Sequence, residues 1–335
     1  MDAGRSGGCA GAMSLSASTP RDLPAPWTGR VDGDGPEHRR WHQAVEPAPD
    51  GDLSGRTALI GFASDTGVRR NQGRPGAAAG PAALRRALSP LAFPGEPGSV
   101  VDAGDVAVEG DRLEAGQERL GARIAGLLDG GAFVVVLGGG HETAYGSYRG
   151  LAGSAVLGGG RRLGILNLDA HFDLRAEPVA TSGTPFLQIA GDERQAGRSF
   201  AYAVLGISAP SNTRVLFDTA ERLGVRHLTD EQCGLRDLQP VRRFVAQFLD
   251  TVDVLYLTID LDVLPAAVAP GVSAPAGYGV ALEVIHAVTA QAARSGKLAL
   301  CDVVELSPPH DVDGRTARTA ARLMSTVVTE RRVRD

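Results

Sequence analysis

The chain has 335 residues, 43% hydrophobic and 22% charged, with a formal net charge of −5. That length suits one large globular domain or two small ones, and the acidic balance excludes a nucleic-acid footprint. The three cysteines, Cys9, Cys233 and Cys301, are odd in number and scattered, which excludes a disulfide framework or zinc–thiolate site and fits a reducing cytoplasm.

Residues 1–22 are rich in Gly, Ala and Ser, and a stretch with so few large apolar side chains is expected to be disordered. They also lack the basic start and apolar stretch of a secretory signal. Residues 23–54 stay rich in Pro and Gly but carry Trp27 and Trp41, so part of this extension is expected to dock. Residues 55–332 read as one domain. Its candidate buried strands are TALIGFA (57–63), AFVVVLG (132–138), LGILNL (163–168), FAYAVLGI (200–207), VLYLTI (254–259) and LALCDVVE (298–305). Near-continuous apolar runs of this kind suit strands covered on both faces. Helical stretches lie between them. In DRLEAGQERLGARIAGLLDGG, Leu113, Leu120, Ile124, Leu127 and Leu128 mark one face, and a Gly pair ends the run. Pro81 in GPAALRRAL suits a first helical turn. The alternation predicts an α/β fold with a mostly parallel sheet. No apolar run approaches the roughly 18 residues of a membrane span, so no membrane partner is expected.

The polar clusters all follow strands: GGGHE after AFVVVL, DAHFD after LGILNL, DLD after VLYLTI, and ELSPPHD at the end of LALCDVV. In open parallel sheets, ligands bind at the carboxyl ends of the strands. On extended backbone Asp169, His171 and Asp173 share one side, as do Asp260 and Asp262. With His141 the set comprises four carboxylates and two imidazoles. Clustered carboxylates repel and raise one another's pKa unless a counter-ion intervenes. Two divalent cations match their number, and hard oxygen plus imidazole ligands suit Mn²⁺. Taken singly, each motif has a plainer reading: a solvated turn, a capping histidine, or a glycine loop cradling a nucleotide phosphate. That loop lacks the Lys-Ser/Thr of a P-loop and the GxGxxG spacing.

GGGHE, NLDAHFD, TIDLDVLPAAVAPGVSAPAG and DVVELSP, in this order, resemble the ureohydrolase superfamily of arginase and agmatinase. WTGRVDG with RRWHQAV (27–45), GFASDTGVRRNQGRPGAAAGPAALRRAL (61–88), TSGTPFLQI (181–189) and SNTRVLF (211–217) are similar to its formimidoylglutamase subgroup. The resemblance implies a three-layer α/β/α arginase-like fold over residues 55–332, two Mn²⁺ per subunit, and a trimer or hexamer. It implies that His141, Asp169, Asp173 and Asp260 hold one ion, and Asp169, His171, Asp260 and Asp262 the other. Asp173 and Glu305 are the implied catalytic residues, with Glu305 meeting an amidinium. The implied reaction is hydrolysis of N-formimidoyl-L-glutamate to L-glutamate and formamide, in histidine degradation. Agmatine or another guanidino substrate, releasing urea, is the alternative in the same class.

An anionic substrate calls for arginine, whose planar fork matches a carboxylate. Arg175 follows the metal motif directly, and Arg69, Arg70 and Arg74 are further candidates. Thr184 and Asn212, in motifs shared with the subgroup, are the other expected substrate contacts. Arginases carry a histidine near the position of Thr184; its absence here argues against arginine hydrolysis.

Overall fold

The strand runs are nearly continuous in apolar residues because alternate side chains enter two different cores. The computed structural model describes residues 27–332; the arm at 1–22 lies outside them. Nine strands form one sheet: β1 (Val45–Pro47), β2 (Thr57–Ala63), β3 (Val100–Ala107), β4 (Phe133–Leu137), β5 (Leu163–Leu168), β6 (Ala201–Ile207), β7 (Arg226–Thr229), β8 (Val254–Asp260) and β9 (Leu298–Val304). Their order is β1-β3-β2-β4-β9-β8-β5-β6-β7. Every pairing is parallel. In β4, Phe133, Val135 and Leu137 enter one core while Val134 and Val136 enter the other, the period of two that a pleated strand imposes.

Among the described residues ten α-helices flank the sheet: α1 (Trp41–Ala44), α2 (Thr66–Arg70), α3 (Gly80–Leu88), α4 (Leu113–Asp129), α5 (Thr143–Ala152), α6 (Pro185–Gln195), α7 (Arg214–Arg222), α8 (Leu238–Leu249), α9 (Leu282–Ala293) and α10 (Arg315–Glu330). Buried side chains of α3, α8, α9 and α10 pack on one face, and those of α4 to α7 on the other. This is the expected three-layer α/β/α arrangement. Leu113, Leu120, Ile124 and Leu128 do bury one stripe of α4, and Pro81 stands in the first turn of α3.

Three strands escape a search for apolar runs. β3 reads VVDAGDVA, and its Asp102 is buried all the same. Arg85 donates to it from Nε (2.7 Å) and Nη2 (2.9 Å), and Trp27 donates its indole N–H (2.7 Å). A buried carboxylate needs such partners. β7, RHLT, is half-buried and mixed. β1 lies in the N-terminal extension, where Trp41 is fully buried, and it extends the sheet beside β3.

The four strands followed by polar clusters, β4, β9, β8 and β5, are neighbours. The chain leaves β4 and re-enters the sheet at β5, with two strands, β9 and β8, between them. That jump opens a crevice at the carboxyl ends, where ligands bind in parallel sheets.

Candidate metal centre and active site

After β4 the chain turns sharply through Gly138–Gly140 to His141. A Cβ on Gly139 would collide with the Ser64 carbonyl oxygen, so close backbone approach demands glycine there. The amides of Gly138, Gly140 and His141 donate to Val303 O, Ser64 O and the Glu305 carboxylate. Donors spent in this way cannot cradle a phosphate, and the nucleotide-loop alternative is rejected.

Strand pairing ends at Leu168, so the extended geometry expected for residues 169–175 is not what gathers them. They form a loop in which Asp173 takes a left-handed conformation (φ 50°). Alternation survives only in burial: Phe172 and Leu174 enter the core, while His171, Asp173 and Arg175 line a cleft. Asn212 holds this loop. Its Oδ1 accepts from Phe172 N (3.1 Å), and its Nδ2 donates to Ala170 O and Ser208 O (2.9 Å each). Asn212 borders the cleft as well, with its amide bracing the loop. Asn167, a buried polar residue within the apolar run of β5, donates to Asp169 Oδ2 (2.9 Å). That interruption in LGILNL was the available sign of its role.

The imidazoles and carboxylates converge. His141 Nδ1 lies 3.1 Å from Asp169 Oδ2 and 3.0 Å from both Asp173 Oδ2 and Asp260 Oδ2. His171 Nδ1 lies 3.1 Å from Asp262 Oδ2 and 3.5 Å from Asp169 Oδ1. Two groups result, His141–Asp169–Asp260 and Asp169–His171–Asp262, each compact enough to hold a metal ion. They share Asp169, one oxygen to each. Asp260 Oδ1 accepts from Asp262 N (2.8 Å), which holds the carboxylate with Oδ2 toward His141. His141 Nε2 meets Thr258 Oγ1 at 3.1 Å, so the tautomer with Nδ1 as acceptor is available. That Nδ1 is buried without an ordinary hydrogen bond.

The electrostatics are those of a site short of positive charge. Burial and the surrounding carboxylates push the Asp260 carboxyl well above its usual range. Burial also raises Asp173 and Asp262, the first further raised by Asp169 and the second by Asp169 despite the opposing His171. For Asp169 burial is outweighed by the two imidazoles, which hold it below the usual carboxylate range. Both imidazoles shift well upward, since the carboxylates outweigh burial. Bound cations relieve this frustration in kind.

Glu305 follows β9, also in a left-handed conformation (φ 68°). Its Oε1 accepts from His141 N (2.7 Å), and its buried Oε2 has no partner. Burial, then the nearby Glu142 carboxylate, push its carboxyl up to about 8. Glu305 lines the same cleft as His141, Asp173, Asp260 and Asp262, a space of about 330 Å³ that Arg175 and Arg74 also border. Arg175 makes no side-chain hydrogen bond or ion pair among the described residues; its stem packs over Gly183. Arg70 is committed elsewhere, to Asp111 (3.2 Å) and Glu114 (2.6 Å), and Arg69 to Asp65. The TSGTPF segment contributes Ser182, which the sequence reading missed. Thr184 is a correction. Its hydroxyl donates to Thr181 O (3.1 Å) and pairs with Gln188 Oε1 (2.9 Å), closing a turn, and it borders a separate outer cleft.

Residues 56–329 match the arginase family. Over 308 residues the chain is 61% identical to the formimidoylglutamase of Rhodococcus jostii (strain RHA1), covering 92% of this chain and 96% of that protein. The crystal structure of Trypanosoma cruzi formiminoglutamase with Mn²⁺ superposes with a TM-score of 0.70 at 25% identity, over 83% of this chain and 93% of that one. That of formimidoylglutamase from Bacillus subtilis shares the fold, with a TM-score of 0.76 at 22% identity over 92% and 95% of the two chains. With its carboxylate–imidazole cluster set at four adjacent strand ends of a parallel sheet, the chain belongs to the arginase family.

Proposed function

We propose that this protein is a formimidoylglutamase, which hydrolyses N-formimidoyl-L-glutamate to L-glutamate and formamide in histidine degradation, with two Mn²⁺ per subunit. One observation carries the reading: a single cleft joins the free Glu305 oxygen to an Arg175 guanidinium that has no partner among the described residues. That pair is complementary to a small molecule bearing an amidinium and a carboxylate. The 61% identity to a formimidoylglutamase supports it.

The donor set fits manganese: four carboxylates, two imidazoles presenting Nδ1, and a buried Nδ1 facing three carboxylate oxygens. His141, Asp169, Asp173 and Asp260 would hold one ion, and Asp169, His171, Asp260 and Asp262 the other. When bound, the metal pair supplies Lewis-acid polarisation and a water acidified towards a pKa of about 7. Glu305 accepts an amidinium N–H through Oε2, a charge-assisted bond that favours its ionised form. The His141 amide pins Oε1, so the carboxylate cannot rotate away. Arg175 binds a substrate carboxylate. Water adds to the formimidoyl carbon, and the bond from that carbon to the α-nitrogen of glutamate breaks. Asp173, whose Oδ1 has no hydrogen bond among the described residues, takes the water proton and returns it to the leaving nitrogen.

Residues 55–332 form the catalytic domain in this reading, with the extension closing one sheet edge. A cytoplasmic location and a homo-oligomer, trimer or hexamer, are proposed from the family resemblance alone. The test is mass spectrometry of the products from Mn²⁺-loaded enzyme. Glutamate and formamide are expected. Formylglutamate plus ammonia would refute the bond choice, and urea from agmatine the substrate.

A further inference from the structure

We infer that Arg74 is a second carboxylate anchor, holding the side-chain carboxylate of formimidoylglutamate while Arg175 holds the α-carboxylate. The inference rests on the substrate reading above. Both arginines border the metal cleft, and neither has an acidic partner among the described residues. Arg74 is not loose, however. Its Nε donates to Ser273 O (3.0 Å), its Nη2 to Val272 O, and its backbone N to Ser273 Oγ (2.9 Å). Carbonyl oxygens orient a guanidinium without cancelling its charge. They leave Nη1 unclaimed on a group whose rotamer entropy is already spent, which is the arrangement that binds an anion at low cost. Gly73 permits it: a Cβ there would lie 2.5 Å from Ser273 Oγ and 2.9 Å from Val68 Cγ1.

Depth assigns the two carboxylates. Arg175 is half-buried and Arg74 is exposed at the mouth. The amidinium must sit on the floor, between Glu305 and the carboxylate cluster. The α-carboxylate is borne by the carbon bonded to the departing nitrogen, so it stays deep, within reach of Arg175. The other carboxylate is two methylenes farther out and arrives at the mouth. A dicarboxylate substrate is thereby read at both ends, and a monocarboxylate at one.

The experiment compares N-formimidoyl-L-glutamate with N-formimidoyl-L-glutamine, in which the outer carboxylate becomes a neutral amide. Wild-type kcat/KM should favour the dicarboxylate by roughly ten- to hundredfold, the worth of one charge-assisted contact. Arg74→Ala should bring that ratio near unity, with the change in KM. Arg74→Lys should keep part of the ratio, since the charge remains and the fork does not. Arg175→Ala should lower both substrates and leave the ratio as in wild type. A general disturbance of the 272–274 loop would lower both substrates alike, so an unchanged ratio in Arg74→Ala overturns the assignment. If the wild type does not turn over formimidoylglutamate at all, the substrate reading falls, and this inference with it; if it does and only the ratio is unmoved, this inference alone falls.

Discussion

Glu305→Gln is the sharpest test of the site. Glu305 Oε1 accepts from His141 N at 2.7 Å while Oε2 is buried and unpartnered. In the variant the amide oxygen must take the His141 side, because the reverse orientation sets two donors face to face. The amide nitrogen is then forced onto the Oε2 position and meets the amidinium N–H as donor against donor. The substrate loses one charge-assisted hydrogen bond, about 1.5–3 kcal/mol, and an N–H is left unsatisfied at a further cost of about 1–3 kcal/mol. The sum, about 2.5–6 kcal/mol, corresponds to a fall in kcat/KM of roughly seventyfold to twenty-five-thousandfold. Steady-state kinetics with separate detection of glutamate and formamide measures it. Metal analysis and thermal melting on the same preparation should match wild type, because the substitution keeps shape and the bond to His141. A loss of less than about tenfold, with metals intact, would show that Glu305 does not meet the amidinium.

Asp169→Asn removes the carboxylate whose two oxygens face both imidazoles; both ions should be lost, and added Mn²⁺ should no longer raise the melting temperature as ligand linkage requires of wild type. A variant that still holds two Mn²⁺ per chain refutes the sharing. Arg175→Ala should raise KM by roughly ten- to hundredfold at unchanged melting temperature, since no protein partner is orphaned; a loss of stability at constant kcat/KM would reassign Arg175 to bracing its loop. Asn212→Ala strands the Phe172 N–H and should cost about 1–3 kcal/mol of stability along with weaker Mn²⁺ binding. If chemical denaturation and Mn²⁺ titration both match wild type, the brace is not what sets the loop.

The parts of this molecule that were legible in the sequence are those where one physical demand dominates. A strand covered on both faces must be apolar throughout, so TALIGFA and VLYLTI announce themselves. Polar groups clustered at several strand ends have no structural reason to be there, so the six cluster residues stand out. β3 was illegible because Asp102 and Asp105 interrupt its run; Arg85 is contributed from another part of the chain, and no local pattern predicts such a pairing. The geometry of the loop after β5 is not legible, since a left-handed aspartate is imposed by surrounding contacts and leaves no mark in composition. Thr184 was misplaced for a related reason. A motif shared with relatives fixes where a segment lies but not whether its hydroxyl faces substrate or closes its own turn.

The neighbouring of β4 and β9 also bears on the order in which the chain assembles. Val134 pairs with Leu300, so this seam joins segments separated by about half of the polypeptide, and closing so long a loop is slow. His141 stands on one side of the seam, while Asp169, Asp260 and Glu305 stand on the other. The set proposed for one ion, Asp169, His171, Asp260 and Asp262, therefore lies wholly on one side, whereas the other set is completed by His141 only when the two halves meet. If both ions bind only after the barrier, Mn²⁺ should leave the refolding rate unchanged and slow unfolding, as expected for an interaction absent from the transition state. Stopped-flow measurements with and without Mn²⁺ separate the two limbs; refolding that accelerates with the metal would place assembly of the one-sided set before the barrier.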